Sequence, residues 1–487
     1  MHTGARKQLG DLAYRVDRHL GEAVSRAVTG HHRRRLRRYG WEDALASNGG
    51  GWARGTPPRD GCSLEVLIDG AEALPHVARE LESATSHVHV AGWHFSPDFA
   101  LTRDDDPRIL RNVLGELSTR LEVRVLAWAG APLPLFRPSR MAVRRMRDRL
   151  CDGTRIACAL DSKERPLHCH HEKTIVIDDR LAFVGGIDLT AESGDRFDSS
   201  RHSARAQVGW HDLSVRLEGP VVADVAEHFR MRWREVTGEP LAPARPAEPK
   251  GDLRAQIVRT VPERVYASVP RGDFGILESY VGVLRGAQQL VYLENQFLWS
   301  PEIVGILREK LLRPPSDGFR LVLVLPAKPN TGSDDTRGAL AELVEADAGA
   351  DRLLACTLYA RHGELSDPVY VHAKVGIVDD AWLTVGSANL NDHSLFNDTE
   401  VNVVTHEASL ARDTRLRLWS EHLELPEKEI RGDPTEVVDR HWKPISAGQL
   451  VRLRAGLPLT HRLVRLPHVS RRSGRLLGPL QGLLVDG

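Results

Sequence analysis

One pattern occurs twice in this chain and constrains it more than any other feature: His-x-Lys-x4-Asp, followed seven residues later by glycine. The first copy begins His171-Glu172-Lys173, reaches Asp178-Asp179, and continues to Gly185, Gly186 and Asp188. The second begins His372-Ala373-Lys374, reaches Asp379-Asp380, and continues to Gly386, Ser387 and Asn389. On a strand, side chains at i and i+2 share a face, so the His and Lys of each copy project together into one cleft. The mainly apolar residues behind each Lys anchor the strand in a sheet. Each Asp-Asp pair reads as the turn of a hairpin. The glycines are expected to let the backbone approach a ligand closely.

The repetition extends to whole segments. In the first, strands at Leu64–Ile68, His87–Gly92, Glu122–Trp128, Thr174–Ile177, Leu181–Gly185 and Leu213–Leu217 are expected. Helices at Ala71–Ala84, Leu110–Leu117, Ser139–Leu150 and Val221–Val236 alternate with them. The second has strands at Leu290–Glu294, Phe319–Leu325, Val375–Val378, Trp382–Gly386 and Val401–Thr405. Its helices are Ile276–Leu284, Ile303–Leu312 and one ending near His422. This order predicts an α/β protein of two tandem, pseudo-symmetric α/β/α sandwich halves with the active site at their interface. Breaks rich in Gly, Pro and Ala place a basic amphipathic extension and linker at 1–60, the first half at 61–245, the second at 251–430, and a basic extension at 431–487.

At 487 residues the chain is too long for one ordinary domain. Its 41% hydrophobic and 27% charged residues are those of a globular protein. Net charge is zero, yet both ends are basic: Arg33, Arg34, Arg35, Arg37 and Arg38 near the start, and Arg452, Arg454, Arg462, Arg465, Arg471, Arg472 and Arg475 near the end. Such ends suit an anionic surface such as phospholipid headgroups or nucleic acid, or are simply solvated. Leu9, Leu12, Val16, Leu20 and Val24 mark an amphipathic helix over 8–30, expected to pack on its own domain rather than lie on a bilayer. The chain has neither a run of eighteen apolar residues nor the apolar stretch of a secretory signal. Five cysteines without a C-x-x-C pair point to a reducing compartment. A cytoplasmic protein with at most peripheral membrane contact is expected. It should be a monomer, because one chain holds both motifs.

Two imidazoles facing each other can carry out phosphoryl transfer without metal or cofactor. One attacks phosphorus, while the other protonates the leaving oxygen and later activates water or an alcohol. Lys173, Lys374 and Asn389 would stabilise the non-bridging oxygens. Each imidazole needs a carboxylate to fix its tautomer. Asp212 and Glu400, each at the start of the strand after its motif, are expected to supply one apiece, Asp212 to His171 and Glu400 to His372.

These motifs resemble the phospholipase D superfamily, over residues 61–445. Gly185-Gly186-Ile187-Asp188-Leu189, Trp210-His211-Asp212, Arg216-Leu217-Glu218-Gly219-Pro220, Val291-Tyr292-Leu293-Glu294-Asn295-Gln296-Phe297 and Gly386-Ser387-Ala388-Asn389-Leu390-Asn391-Asp392 are similar to its phosphatidylcholine-cleaving branch. The resemblance implies a phospholipid substrate, a phosphatidyl-enzyme intermediate at His171 and a general acid at His372. It implies that Lys173, Lys374 and Asn389 hold the phosphate, and that Asp178 and Asp379 are structural. His393 stands where the family often has Arg, which puts one headgroup or structural contact in question.

Several weaker signals have a plain structural reading beside the functional one. Glu294, Asn295, Gln296 and Trp93 end matching strands and are candidate substrate contacts, with a polar strand end or core packing as the alternative. His168, Cys169, His170 and His171 resemble a metal cluster but lack a second ligand group at matched spacing. Asp104-Asp105-Asp106 lacks the regular ligand pattern of an EF-hand. Gly332-Ser333-Asp334-Asp335 reads as a mobile loop near the cleft. The rival functions are a cardiolipin-synthase-like phosphatidyltransferase, a nuclease of the same superfamily, and a silent lipid-binding scaffold. A nuclease is disfavoured because the central segments are not strongly basic.

Overall fold

The computed structural model describes residues 26–48, 50–132, 137–166, 168–192, 194–197, 209–328 and 333–466. Two sheets carry the chain, and their strands lie in the same order. In the first, Ala157–Asp161, Glu122–Trp128 and His87–Gly92 are parallel, and Thr174–Ile177, Leu181–Gly185, Leu213–Glu218 and Arg59–Ile68 continue antiparallel. In the second, Leu353–His362, Arg320–Val324 and Leu290–Asn295 are parallel, and Lys374–Val378, Trp382–Gly386, Glu400–Thr405 and Leu253–Val261 continue antiparallel. Arg59–Ile68 and Leu253–Val261 pair irregularly, joining the two ladders.

One core lies between the sheets, where Val66, Val184 and Val215 share a cluster with Ile257, Val385 and Val403. Helices Val222–Thr237 and Ala408–Leu423 close that middle layer, through Val225 and Trp419 among others. The outer face of the first sheet packs on Asp69–Glu82, Leu110–Leu117 and Arg140–Cys151. The outer face of the second packs on Gly275–Gly286, Pro301–Leu312 and Ser333–Asp347. The pattern of alternating apolar strands and amphipathic helices thus becomes a layered α/β fold.

The motif aspartates lock each hairpin. Asp178, Asp179, Asp379 and Asp380 all have φ between 50° and 57°, as a type I′ turn requires at both central positions. The Asp178 carboxylate accepts N–H groups from Thr85, Ser86 and His87. Asp379 does the same for Gln288, Gln289 and Leu290. Asp179 and Asp380 pair with Arg230 and Arg415 from the following helices. The glycines serve packing too, which corrects the expectation of a ligand approach. A Cβ on Gly185 would stand 2.4 Å from the Leu213 carbonyl oxygen, and one on Gly386 would stand 2.2 Å from Asn402 Oδ1. The neighbouring strand, not a ligand, occupies that space.

Among the strands the sequence does not predict are the long ladder members Ala157–Asp161, Leu253–Val261 and Leu353–His362. The expected loop at 332–335 is instead the start of a helix at Ser333, and Gly332 lies outside the described residues. The Gly-rich stretch before Pro58 is fastened down: the Gln256 amide bonds to the backbone of Ala53 and Thr56. In the C-terminal extension, Leu463–Arg465 adds an antiparallel strand to Leu353–His362. Arg471, Arg472 and Arg475, and the helical positions Leu9 to Val24, lie outside the described residues.

The basic run near the start is helical from 26 to 39, and its arginines divide into two kinds. Arg33, Arg34, Arg37 and Arg38 are exposed, whereas Arg35 and Leu36 are buried. The Arg35 guanidinium binds both Glu263 carboxylate oxygens at 2.9 and 2.7 Å, Asn397 Oδ1 at 2.8 Å and the Phe396 carbonyl at 3.0 Å. Losing Arg35 breaks a buried ion pair and leaves Glu263 to Arg165, at 2.8 Å, while the Asn397 and Phe396 oxygens lose this donor. Arg35→Ala is therefore expected to cost about 3 kcal/mol by denaturant unfolding, and Arg33→Ser less than about 0.5 kcal/mol. Equal effects would refute this division.

Candidate active site

Each motif starts at the carboxyl end of a parallel strand: Thr174 lies opposite Ala91, and Lys374 opposite Asn295. There the two halves exchange backbone. Trp210–His211 pairs in parallel with Tyr370–Val371, and a matching bridge joins His170 to Thr399. The Thr399 carbonyl accepts the N–H groups of His171 and Glu172 at 2.9 and 3.0 Å. The His211 carbonyl accepts those of His372 and Ala373 at 2.8 and 3.0 Å. These matched contacts make the pseudo-two-fold relation explicit.

The crossing carries the acids with it. Glu400 Oε1 is 3.0 Å from His171 Nδ1, and Asp212 Oδ2 is 2.6 Å from His372 Nδ1. Each imidazole is thus held by the opposite half, which corrects the expectation that each acid serves its own motif. The segment leading into each acid pairs with the partner half, so its carboxylate arrives beside the partner's histidine. With Nδ1 engaged, Nε2 of each ring is left for chemistry. The ring centroids are 6.4 Å apart.

Cations and amides complete the site. Lys173 Nζ lies 2.6 Å from its own motif's His171 carbonyl and 3.5 Å from Asp188 Oδ2. Lys374 donates to the His372 carbonyl and, at 3.3 Å, to Gln296 Oε1. Asn389 Nδ2 reaches the same Gln296 oxygen at 3.3 Å. Asp188 Oδ1 and Asn389 Oδ1 are buried without a hydrogen-bond partner. Burial dominates the electrostatics. It pushes His171 down to about 3, with Lys173 and Lys374 adding to the effect. His372 is pushed well down in the same way, and Lys374 down to about 7. Burial lifts Asp212 to about 7 and Glu400 to about 8.

The Gly-Gly and Gly-Ser pairs of the two motifs differ for a reason visible here. A Cβ on Gly186 would stand 2.2 Å from Asp212 Oδ1. The corresponding Ser387 instead donates its hydroxyl to Glu400 Oε2, and Ser394 donates to Glu400 Oε1 at 2.6 Å. Gly186→Ala should therefore displace Asp212 and, through it, His372. Misplacement on the ångström scale lowers turnover by about 100-fold. Wild-type rates in a folded Gly186→Ala variant would contradict this.

The four candidate substrate contacts separate. Gln296 is at the site, bridging Lys374 and Asn389, with its amide nitrogen 2.9 Å from the Tyr370 hydroxyl. Asn295 Oδ1 instead accepts the Phe297 and Leu390 N–H groups, holding the segment that carries Asn389. Glu294 is fully buried and bound by His211 at 2.7 Å, His422 at 2.9 Å and the Tyr292 hydroxyl. It is no substrate contact, because a carboxylate so engaged is part of a core network. Trp93 stacks on Trp128 with ring centroids 6.1 Å apart.

The three histidines of the His168-Cys169-His170-His171 run point to different partners. His170 pairs with Asp161 and Thr399, His171 with Glu400, and His168 with His393 and Asp398. His393, the departure from the family pattern, is thus a buried partner of His168. Among the described residues, three groups could gather metal ligands: His168, His393 and Asp398; His211, Glu294 and His422; Asp69, His211 and Glu421.

A family model described as "Cardiolipin synthase, PLD-like domain" matches residues 283–419. Phospholipase D A of Dictyostelium discoideum is 25% identical over 76% of this chain. Phospholipase D alpha 4 of Arabidopsis thaliana is 24% identical over 74%, and Phospholipase D2 of Bos taurus 23% over 73%. These matches support the phospholipase D superfamily as the family this chain resembles. It spans 36%, 64% and 50% of those three relatives' lengths. A solved phosphatidylserine synthase from Haemophilus influenzae shares the fold, with a TM-score of 0.51 and 13% identity, covering 81% of this chain and 93% of that one.

Three neighbours of this phospholipase D-like site went unassigned in the sequence. Trp210 lies beside His372, with centroids 4.5 Å apart, and the Arg196 guanidinium stands 3.9 Å above the Trp210 ring. Ser394 braces Glu400. Trp210 and Ser394 adjoin the recognised stretches Trp210-His211-Asp212 and Gly386 to Asp392. Arg196 carries no motif spacing that would single it out.

Proposed function

We propose that the protein is a phospholipase D-type phosphodiesterase that cleaves the phosphatidyl ester of a glycerophospholipid. His171 Nε2 attacks phosphorus and forms an N–P bond as the P–O bond to the headgroup breaks. His372 gives its Nε2 proton to the departing oxygen. It then takes a proton from water, whose oxygen displaces His171 and yields phosphatidic acid. An alcohol in place of water would give transfer. Lys173, Lys374 and Asn389 meet the charge on the non-bridging oxygens. The observation that carries this reading is the pair of facing imidazoles, each fixed at Nδ1 by a crossed carboxylate.

The two pairs must hold opposite protonation states. The His171–Glu400 pair has to lose its titrating proton, which rising pH through about 8 achieves. The His372–Asp212 pair has to keep its own, which rising pH through about 7 removes. A bell-shaped kcat/KM profile with its maximum between those values is expected. An optimum below pH ~5 would contradict this assignment.

Incubation with a panel of phospholipids plus ethanol tests the substrate. Formation of phosphatidic acid and phosphatidylethanol, lost in His171→Ala and His372→Ala, is expected. Release of nucleotides from nucleic acid with no lipid turnover would refute the reading in favour of a nuclease. The peripheral-membrane part of the reading is consistent with the described residues, where no helix is long and apolar enough to cross a bilayer.

A further inference from the structure

Twin helices occupy one topological position in the two halves. Arg140–Cys151 follows the strand Glu122–Trp128, and Ser333–Asp347 follows Arg320–Val324. The halves otherwise match closely, yet these twins differ in charge. The first carries Arg140, Arg144, Arg145, Arg147 and Arg149 against a single Asp148. The second exposes Glu342 and Glu345.

The basic helix is amphipathic in the strict sense that its two faces do different things. Val143, Met146 and Leu150 are buried in the outer core of the first half. Arg144, Arg145 and Arg149 are exposed. Arg147 has Asp148 at 2.7 Å and Arg149 has Asp98 at 3.8 Å. Arg144 and Arg145 have no acidic partner among the described residues. Met141, in the first turn, is 61% exposed, with the Arg145 guanidinium 3.6 Å from its sulfur. The helix begins at the end of the sheet where the site lies. Arg140 pairs with Glu164 at 2.8 Å, and Ala131 shares a cluster with Trp128 and Cys169, two residues before His171.

We propose that this helix docks the protein on an anionic lipid surface and brings the first-half rim of the cleft to the bilayer. The inference rests on the phospholipid reading above. Each unpaired cation near an anionic leaflet contributes about 1 kcal/mol. An exposed Met among arginines gives the face an apolar point that can enter the headgroup layer. The acidic twin is repelled by the same surface, so approach is one-sided despite the near symmetry of the fold. The attraction weakens as salt screens it. A nucleic-acid strand fits this face less well, because the helix offers no aromatic side chain for base stacking.

The test uses the full chain and an Arg144→Glu/Arg145→Glu/Arg149→Glu variant; glutamate keeps the helical propensity. Both are sedimented with vesicles of phosphatidylcholine, with and without phosphatidylserine. The wild type should bind the phosphatidylserine vesicles in a salt-sensitive manner, and the variant at least about tenfold more weakly. Turnover of a monomeric short-chain phosphatidyl ester, which needs no surface, should be equal in the two. Equal vesicle binding by the variant overturns the proposal. So does wild-type binding to a DNA duplex but not to vesicles. Vesicle binding lost as expected, with no ester turnover in the wild type, would uphold the docking face and sink the enzymatic reading separately.

Discussion

Replacing His171 with alanine is expected to lower turnover of a phosphatidyl ester by about 10,000-fold or more, whatever the leaving group. The nucleophile forms the bond to phosphorus, and His372, the other imidazole, is committed to the proton of the leaving group. Lys173, whose charge serves the phosphate, points its ammonium at the His171 carbonyl and Asp188. His372→Ala should behave differently. A general acid contributes about 100- to 10,000-fold for an alkoxide leaving group. It contributes little when the leaving group is p-nitrophenol, which departs without a proton. The His372→Ala variant should therefore release p-nitrophenol in a burst and then stall, because water activation also needs His372. A full rescue of His171→Ala by p-nitrophenyl ester would remove the distinction between the two histidines.

The crossed carboxylates give the second large effect. Asp212→Asn should reproduce the His372 defect, and Glu400→Gln the His171 defect, each by about 100- to 10,000-fold. An amide keeps the shape of the acid but cannot stabilise the imidazolium. The pairing is set by the 2.6 Å contact of Asp212 with His372 and the 3.0 Å contact of Glu400 with His171. Leaving-group dependence separates the cases. Asp212→Asn should be rescued by p-nitrophenol in the first step, and Glu400→Gln should not. The reverse pattern would return each acid to its own half.

The repeat was legible because its strands are strongly patterned. Thr174–Ile177, Leu181–Gly185, His87–Gly92 and Glu122–Trp128 fall where the alternation of apolar runs and turn residues puts them. Ala157–Asp161 was not, because Ala-Cys-Ala-Leu-Asp has no β-branched residue and is only half-buried along most of its length. Leu253–Val261 carries Arg, Gln and Thr among its apolar residues, so it reads as a continuation of the Pro- and Ala-rich break before it. The site was legible in its residues and not in its connections. Spacing finds His, Lys and acid within one half, but the exchange of Trp210–His211 and His170 across the halves is a tertiary event. For the same reason Glu294, which ends its strand beside true site residues, was read as a substrate contact. Its burial against His211 and His422 comes from helix Ala408–Leu423 and the crossing segment, far away in sequence. Arg35 shows the same limit: five neighbouring arginines look alike until one of them meets Glu263.

The central claim is that His171 forms the covalent bond and His372 resolves it. Stopping the His372→Ala variant with alkali after mixing with a p-nitrophenyl phosphatidyl ester, then mapping the adduct by peptide mass spectrometry, tests it most directly. The account predicts a phosphatidyl group on the peptide containing His171, accumulating in His372→Ala and absent from His171→Ala. An adduct on the His372 peptide of the His171→Ala variant, or active enzyme that never carries an adduct, would contradict it.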